Sequence, residues 1–317
     1  MTARPILFDC DTGIDDALAL LYMLQNGGDL IASGSVHGNV PAALGAKNTL
    51  RVLEVAGVTG VPVVVGAHRP MAQPLQTAEW VHGEDGLGNT GQPEPKELLK
   101  PGSAAEQIVD LARRRPGEFT LVAVGPLTNL GLALLMEPDL PRLIPGVVVM
   151  GGAVSPPGNI TATAEANIWH DPEAAQLVVE APWNLTLADL DATMQTVLTK
   201  QQVAAIENSN TAIGKFAWSI LDHYLNVYVQ WVGERSCPLH DPLAVALALD
   251  PSLATYRTLP TRIELRGAET RGTTLCDLRP GDAERPRPDA ESWSPVTYVD
   301  ELDVERFQAL FVHALTS

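Results

Sequence analysis

Four aspartates fall within eight positions near the start of the sequence: Asp9, Asp11, Asp15 and Asp16, in the run Asp-Cys-Asp-Thr-Gly-Ile-Asp-Asp. Carboxylates this close repel one another unless positive charge sits among them. A helix N-terminus supplies only about half a charge, and a divalent cation supplies more. Oxygen-only ligands with no Cys or His cluster beside them suit a hard ion such as Ca²⁺ or Mg²⁺. Helix capping accounts for one or two of the four aspartates, not for all. The chemistry implied is metal binding or carboxylate catalysis.

Three further clusters carry polar chemistry. An apolar run ending at Met150 is followed by Gly151-Gly152, then Gly158-Asn159 and Glu165-Ala166-Asn167. Asn, Glu and Asn on one loop offer donors and acceptors for the vicinal hydroxyls of a sugar; a polar surface loop is the plainer account. His240-Asp241-Pro242 precedes the apolar stretch 243–249. Asp241 either caps that helix or adds a fifth carboxylate to a metal, beside an imidazole able to donate a proton near neutral pH. Val124-Gly125-Pro126 ends another apolar run, where a strand-end carbonyl is a plausible neutral oxygen ligand. His37 and His82 lie in Gly-rich turns, where solvation explains a lone His as readily as function.

The elements that must position these groups alternate. Residues 6–8, 30–36, 61–65, 119–124, 146–150 and 185–187 read as strands. Residues 17–24, 42–56, 104–114, a segment ending at 135, and 172–180 read as helices. Such alternation predicts an α/β, Rossmann-like fold with a mostly parallel central sheet and helices on both faces. The turns then gather at the carboxyl ends of the strands, where ligands bind in open α/β sheets. Residues 66–102 read as a long Gly- and Pro-rich loop, and loops of that length are usually functional or disordered. The pattern changes after residue 190: 200–228 reads as largely helical, 243–249 as a short helix, 261–265 and 273–278 as β additions around a polar stretch at 280–295, and 303–315 as a closing helix. With no internal repeat and no clear linker, residues 1–317 read as a single domain.

Composition narrows the partners. With 21 basic against 38 acidic residues the net charge is −17, which argues against a nucleic-acid or anionic-membrane partner, since phosphate binding needs clustered Lys and Arg. Cys10, Cys237 and Cys276 are odd in number and widely spaced, so neither a disulfide framework nor a zinc site is indicated. The first residues lead straight into a strand without a signal peptide. No apolar run reaches the ~18 residues needed to cross a bilayer. A cytoplasmic location is the expectation.

Taken in order, Asp9-Cys-Asp11-Thr-Gly-Ile-Asp15-Asp16-Ala17, His37-Gly38-Asn39, Val124-Gly-Pro-Leu-Thr-Asn129, Met150-Gly-Gly, Asn159…Glu165-Ala-Asn167 and His240-Asp241-Pro242 resemble the nucleoside hydrolases, ribonucleoside N-glycosidases of the inosine-uridine-preferring type. The resemblance runs from residue 5 to the closing helix. It implies one Ca²⁺ per subunit, a homodimer or homotetramer, and hydrolysis of the bond between ribose C1′ and the base, giving ribose and a free purine or pyrimidine in nucleoside salvage or catabolism. Carried over by motif, Asp11, Asp16, Asp241 and the Val124 carbonyl would ligate calcium, and Asp11 would be the base that activates a calcium-bound water. Asp15, Asn39 and Asn167 would hold the 2′,3′-diol, Asn159 and Glu165 the 5′-hydroxyl, with Met150 against the ribose and Asp9 orienting the cluster from behind. His240 is the candidate acid for the leaving base, with His82 in a loop near it and Tyr224 and Tyr228 on a helix able to fold over it. Thr12 stands where many members have Pro, at a turn position. Ala166 stands where some carry a bulky residue, which makes the 5′ side roomier. His240 in place of Trp resembles the members that protonate the base rather than stack it between tryptophans.

Two other classes use similar residues. Asp9-x-Asp11-x-Gly13 partly resembles the nucleophile motif of haloacid-dehalogenase-like, Mg²⁺-dependent phosphatases, but leaves Asp15-Asp16 and the Asn159/Glu165/Asn167 array unexplained and provides no basic residue for phosphate. A non-catalytic ribose- or nucleoside-binding protein would use the same carboxylates and metal only to grip a diol.

Overall fold

Ile6–Cys10 (β1) is buried at every position, as a parallel strand covered on both faces must be. Alternate residues feed two cores: Ile6, Phe8 and Cys10 pack into one and Leu7 into the other, following the period of two that a strand imposes. The computed structural model describes residues 5–155, 157–279 and 293–317. After β1 come α1 (Ile14–Gln25), β2 (Leu30–Ser35), α2 (Ala42–Val55), β3 (Val63–Val65), α3 (Glu79–His82), α4 (Ala104–Arg114), β4 (Thr120–Ala123), α5 (Thr128–Met136), α6 (Leu140–Leu143) and β5 (Val147–Met150). They are followed by α7 (Ala166–His170), α8 (Pro172–Glu180), β6 (Leu185–Ala188), α9 (Leu190–Thr193), α10 (Lys200–Glu207), α11 (Ala212–Val232) and α12 (His240–Leu249). The chain ends with β7 (Ala254–Ile263), β8 (Thr274–Cys276), β9 (Ser294–Leu302) and α13 (Val304–Thr316).

The sheet has nine strands in the order β3-β2-β1-β4-β5-β6-β9-β7-β8. Pairings from β3 through β9 are parallel, and β7 runs antiparallel to both β9 and β8. The expected mostly parallel α/β sheet is therefore what the chain forms. Chain order reverses at β1, which has β2 on one side and β4 on the other. Crevices at such reversals, outside the carboxyl ends of the strands, are where open α/β sheets bind ligands.

The departures from the sequence reading are local. α1 and α12 each begin about a turn earlier than apolar periodicity suggests, because their first turns carry Asp15-Asp16 and His240-Asp241. The stretch 200–228 is interrupted: α10 ends before Asn208, and Thr211 caps α11 by accepting from the Gly214 amide at 2.9 Å. α3 lies within the long loop 66–102. β9 completes the sheet from the end of the polar stretch 280–295, of which 280–292 lie outside the described residues. Among the described residues no helix is long and apolar enough to cross a membrane.

Candidate active site

β1 delivers Asp9 on the strand and Asp11 just beyond it; Gly13 then turns the chain into α1, whose first turn holds Asp15 and Asp16. α1 packs against α12, which sets Asp241 against this pair. One carboxylate oxygen from each of Asp15, Asp16 and Asp241 lies within 4.8 Å of the others. Asp16 is tied to the backbone, accepting from the amides of Asp11 (3.1 Å) and Gly13 (2.9 Å) and from Asn39 Nδ2 (2.9 Å). Asp11 is not one of the three. Its Oδ2 accepts from the Asn39 amide at 2.6 Å, while its Oδ1 is buried without a partner, as are Asp15 Oδ1 and Asp241 Oδ2. Asp241 lies in the first turn of α12, whose N-cap is Leu239, so N-capping does not account for it. Asp9 accepts from Asn129 Nδ2 at 2.8 Å, and its Oδ2 is likewise buried without a partner.

The electrostatic consequence is strong. Burial, and after it the neighbouring Asp16, holds Asp11 well above the usual carboxylate range. Burial and then Asp15 push Asp16 up to about 7, and burial and then Asp15 raise Asp241 well above its ordinary value. Among the described residues no Lys or Arg lines the cavity they face. Orphaned carboxylate oxygens converging without a cationic side chain are the donor set a hard divalent ion requires. Backbone closes in around Asp11: a Cβ at Gly38 would collide with its Oδ2, and one at Gly125 would lie 2.9 Å from its Oδ1.

The Asn159–Asn167 loop faces the carboxylates across the cavity. Glu165 caps α7, Oε1 accepting from the Asn167 amide (2.9 Å) and Oε2 from those of Gly152 (3.0 Å) and Ile168 (3.1 Å); burial raises its pKa to about 7. Asn159 Oδ1 accepts from the Ala166 amide at 2.9 Å. Asn167 Nδ2 donates to the carbonyls of Val124 (2.9 Å) and Met150 (3.1 Å), so it joins the ends of β4 and β5. Thr273 Oγ1, beside β8, donates to Thr163 Oγ1 at 2.7 Å and braces this loop from outside.

The opposite end of the cavity is aromatic. Tyr224 donates to Asp15 Oδ2 at 3.2 Å, and its hydroxyl lies 3.3 Å from that of Tyr228. The Tyr228 hydroxyl is 3.2 Å from His240 Nε2, and His240 Nδ1 is 2.8 Å from Thr193 Oγ1. Burial lowers His240 to about 4. His82 is buried, not solvated: its Nδ1 accepts from the Ile14 amide at 3.1 Å and its ring centroid is 5.6 Å from that of Tyr224. His37 is also buried, bonded through Nε2 to Thr128 Oγ1 at 2.9 Å, and does not line the cavity.

The sequence profile of the inosine-uridine preferring nucleoside hydrolases matches residues 6–309. The chain belongs to the nucleoside hydrolase family. It is 36% identical over 315 residues to the inosine-uridine preferring nucleoside hydrolase of Crithidia fasciculata, covering 98% of this chain and 97% of that protein. It superposes on a plant nucleoside hydrolase with a TM-score of 0.94, at 31% identity and with 99% of both chains covered. It also superposes on a purine-preferring ribonucleoside hydrolase from Gardnerella vaginalis with a TM-score of 0.89, at 31% identity over 99% of this chain and 98% of that one. The chain is thus a hydrolase of ribonucleosides.

Within this nucleoside hydrolase the cavity brings together Asp15, Asn39, His82, Val124, Met150, Asn159, Glu165, Asn167, Tyr224, Tyr228, His240 and Asp241. Asp9, Asp11 and Asp16 stand behind them, connected by the bonds above. Sequence reasoning missed Trp80 and Trp231, which meet edge to face at 5.5 Å at the cavity mouth, exposed by 57% and 51%. The signal was present in part: Trp231 follows Tyr224 and Tyr228 at helical spacing, and its ring is 5.1 Å from that of Tyr228. The reading that set His240 in place of tryptophans therefore overlooked an aromatic pair beside it. Thr12 is more than a turn residue: its Oγ1 lies 2.7 Å from Thr49 Oγ1 of α2.

Proposed function

We propose that this hydrolase cleaves the N-glycosidic bond of ribonucleosides with calcium held by Asp11, Asp16, Asp241 and the Val124 carbonyl, and that it works in the cytoplasm as a homodimer or homotetramer. The observation that carries the reading is the set of partnerless buried oxygens on Asp11, Asp15 and Asp241, set between a polar loop suited to ribose and an aromatic wall suited to a base. Bound calcium supplies the positive charge these carboxylates lack and makes a neighbouring water more acidic.

The residues then divide the work. Asp15, Asn39 and Asn167 hold the 2′,3′-diol, Asn159 and Glu165 the 5′-hydroxyl, and Met150 packs against the sugar. Asp11 Oδ1 takes the proton of the attacking water. Carboxylates on the ribose side stabilise the oxocarbenium character that builds as the bond to the base breaks. Asp9, bonded to Asn129, orients the cluster from behind. Tyr224, Tyr228 and His82 enclose the base and exclude water. His240 is the acid for the leaving base, adjoining Tyr228 through Nε2. Burial lowers its imidazole to about 4, so the free ring is neutral at pH 7; negative charge developing on the departing base favours the imidazolium, which takes its proton from solvent and passes it to the base nitrogen.

A panel of inosine, adenosine, guanosine, uridine and cytidine tests the reading; ribose release from at least one of them is expected. Cleavage of p-nitrophenyl phosphate with Mg²⁺ while every nucleoside stays intact would make the protein a phosphatase, and nucleoside binding without turnover would make it a binder. His240→Ala is expected to lower kcat for inosine about 10²-fold or more, in the range of a lost general acid, while p-nitrophenyl riboside, whose leaving group departs without a proton, loses far less. Equal losses on the two substrates would remove His240 from the acid role.

A further inference from the structure

His170 lines the same cavity and has no task in the mechanism above. It ends α7, 4% exposed. Its Nδ1 lies 2.7 Å from the Ala166 carbonyl. A carbonyl only accepts, so Nδ1 carries the proton and Nε2 is left as a lone-pair acceptor in the neutral ring. Burial lowers the imidazole pKa, which keeps the ring neutral at pH 7. Among the described residues no group bonds Nε2, and this atom is not one of the polar atoms sealed from solvent. The cavity is the open space that this side chain lines.

The ring is held firmly. Gln73 Nε2 donates to the backbone carbonyls of Trp169 (2.7 Å) and His170 (3.0 Å), and Arg271 Nε donates to Gln73 Oε1 at 3.0 Å. Trp169 meets the imidazole edge to face at 5.4 Å. Ala166 shares this wall of the cavity and extends no further than Cβ. The residues assigned to the 5′ end are themselves fixed by backbone: Glu165 takes three amides and Asn159 Oδ1 takes a fourth.

We propose that His170 is a specificity-determining residue whose Nε2 accepts a hydrogen bond from the 5′-hydroxyl of the ribonucleoside. The assignment rests on the reading above that places the sugar's 5′ end at Asn159 and Glu165. It also defines what is rejected. A 5′-phosphate offers acceptors and negative charge to an acceptor nitrogen beside a carboxyl group, so the substrates are nucleosides rather than nucleotides.

The test is the ratio of kcat/KM for inosine to that for 5′-deoxyinosine, in the wild type, H170A and H170Q, each with calcium present. One hydrogen bond corresponds to roughly a three- to tenfold effect. The ratio is expected to fall by about that factor in H170A. It should recover in part in H170Q, whose amide oxygen can replace the acceptor. Each variant's rate on 5′-deoxyinosine corrects for any change in folding or in the amount of active enzyme. An unchanged ratio in H170A, with both substrates slowed alike, overturns the assignment to His170 and leaves the hydrolase reading standing. A wild type that cleaves neither substrate nor any other nucleoside overturns the hydrolase reading and this assignment together.

Discussion

Replacing Asp11 with alanine is expected to lower kcat about 10³-fold or more, with calcium present in excess. General-base catalysis alone contributes about 10²- to 10⁴-fold, and in the proposed reading Asp11 is also a metal ligand. Its geometry supports both roles, since Oδ1 is partnerless while Oδ2 is fixed by the Asn39 amide. Asp11→Ala also releases the His37–Asn39 turn, so Asp11→Asn is the sharper variant. The amide keeps an acceptor for Asn39 but cannot act as a base at neutral pH. Steady-state ribose release from inosine measures both variants. Turnover of Asp11→Asn within about tenfold of wild type would remove Asp11 from the base role.

Removing calcium with a chelator is expected to abolish turnover reversibly and to make stability depend on pH in a particular direction. Without the ion, Asp16 titrates at about 7 in the fold against an ordinary value of 3.8 when unfolded. Between those values the folded state binds the extra proton, so stability falls as pH rises from about 4 through about 7. Each such group contributes on the order of 1.4 kcal/mol per pH unit at most. Asp11 and Asp241, raised well above their ordinary value, act in the same direction. Calcium binds the ionised form, so the rise in Tm on adding it should be larger near pH 7.5 than near pH 5.5. Thermal unfolding with and without chelator at the two pH values measures this. An equal rise at both, or full activity in chelator, would contradict calcium binding by this cluster.

Much of this was legible because the informative groups are local. Asp9 to Asp16 lie on one strand, one turn and one helical turn, so spacing alone places them at a strand's carboxyl end. The alternation of strands and helices gave the sheet for the same reason. The pairings that complete the site were not legible, since packing sets them across long stretches of chain. Asn129 reaches Asp9 over 120 residues, and Thr193 reaches His240 over 47. Trp80 and Trp231 meet only because α3 and α11 converge at the mouth. α7 escaped notice because five residues hold too little periodicity to read, and α9 because it has only four. The early start of α12 was hidden because apolar pattern marks a helix's buried face rather than its polar first turn.

The position of β9 has a consequence for how this chain folds. It follows β7 and β8 in the chain, yet it lies between β6 and the antiparallel β7–β8 pair. A growing chain therefore holds β6 as an open edge and the β7–β8 hairpin unattached to the sheet until residues 294–302 arrive. Thr273, the brace on the Asn159–Asn167 loop, lies within that hairpin, at the end of its connection and immediately before β8. The Asn159–Asn167 wall of the cavity is thus braced by a hairpin that joins the sheet only through the later β9. Such long-range closure slows folding and leaves β6 an exposed strand edge until β9 pairs with it, so this wall of the cavity becomes fixed to the sheet only when β9 has docked.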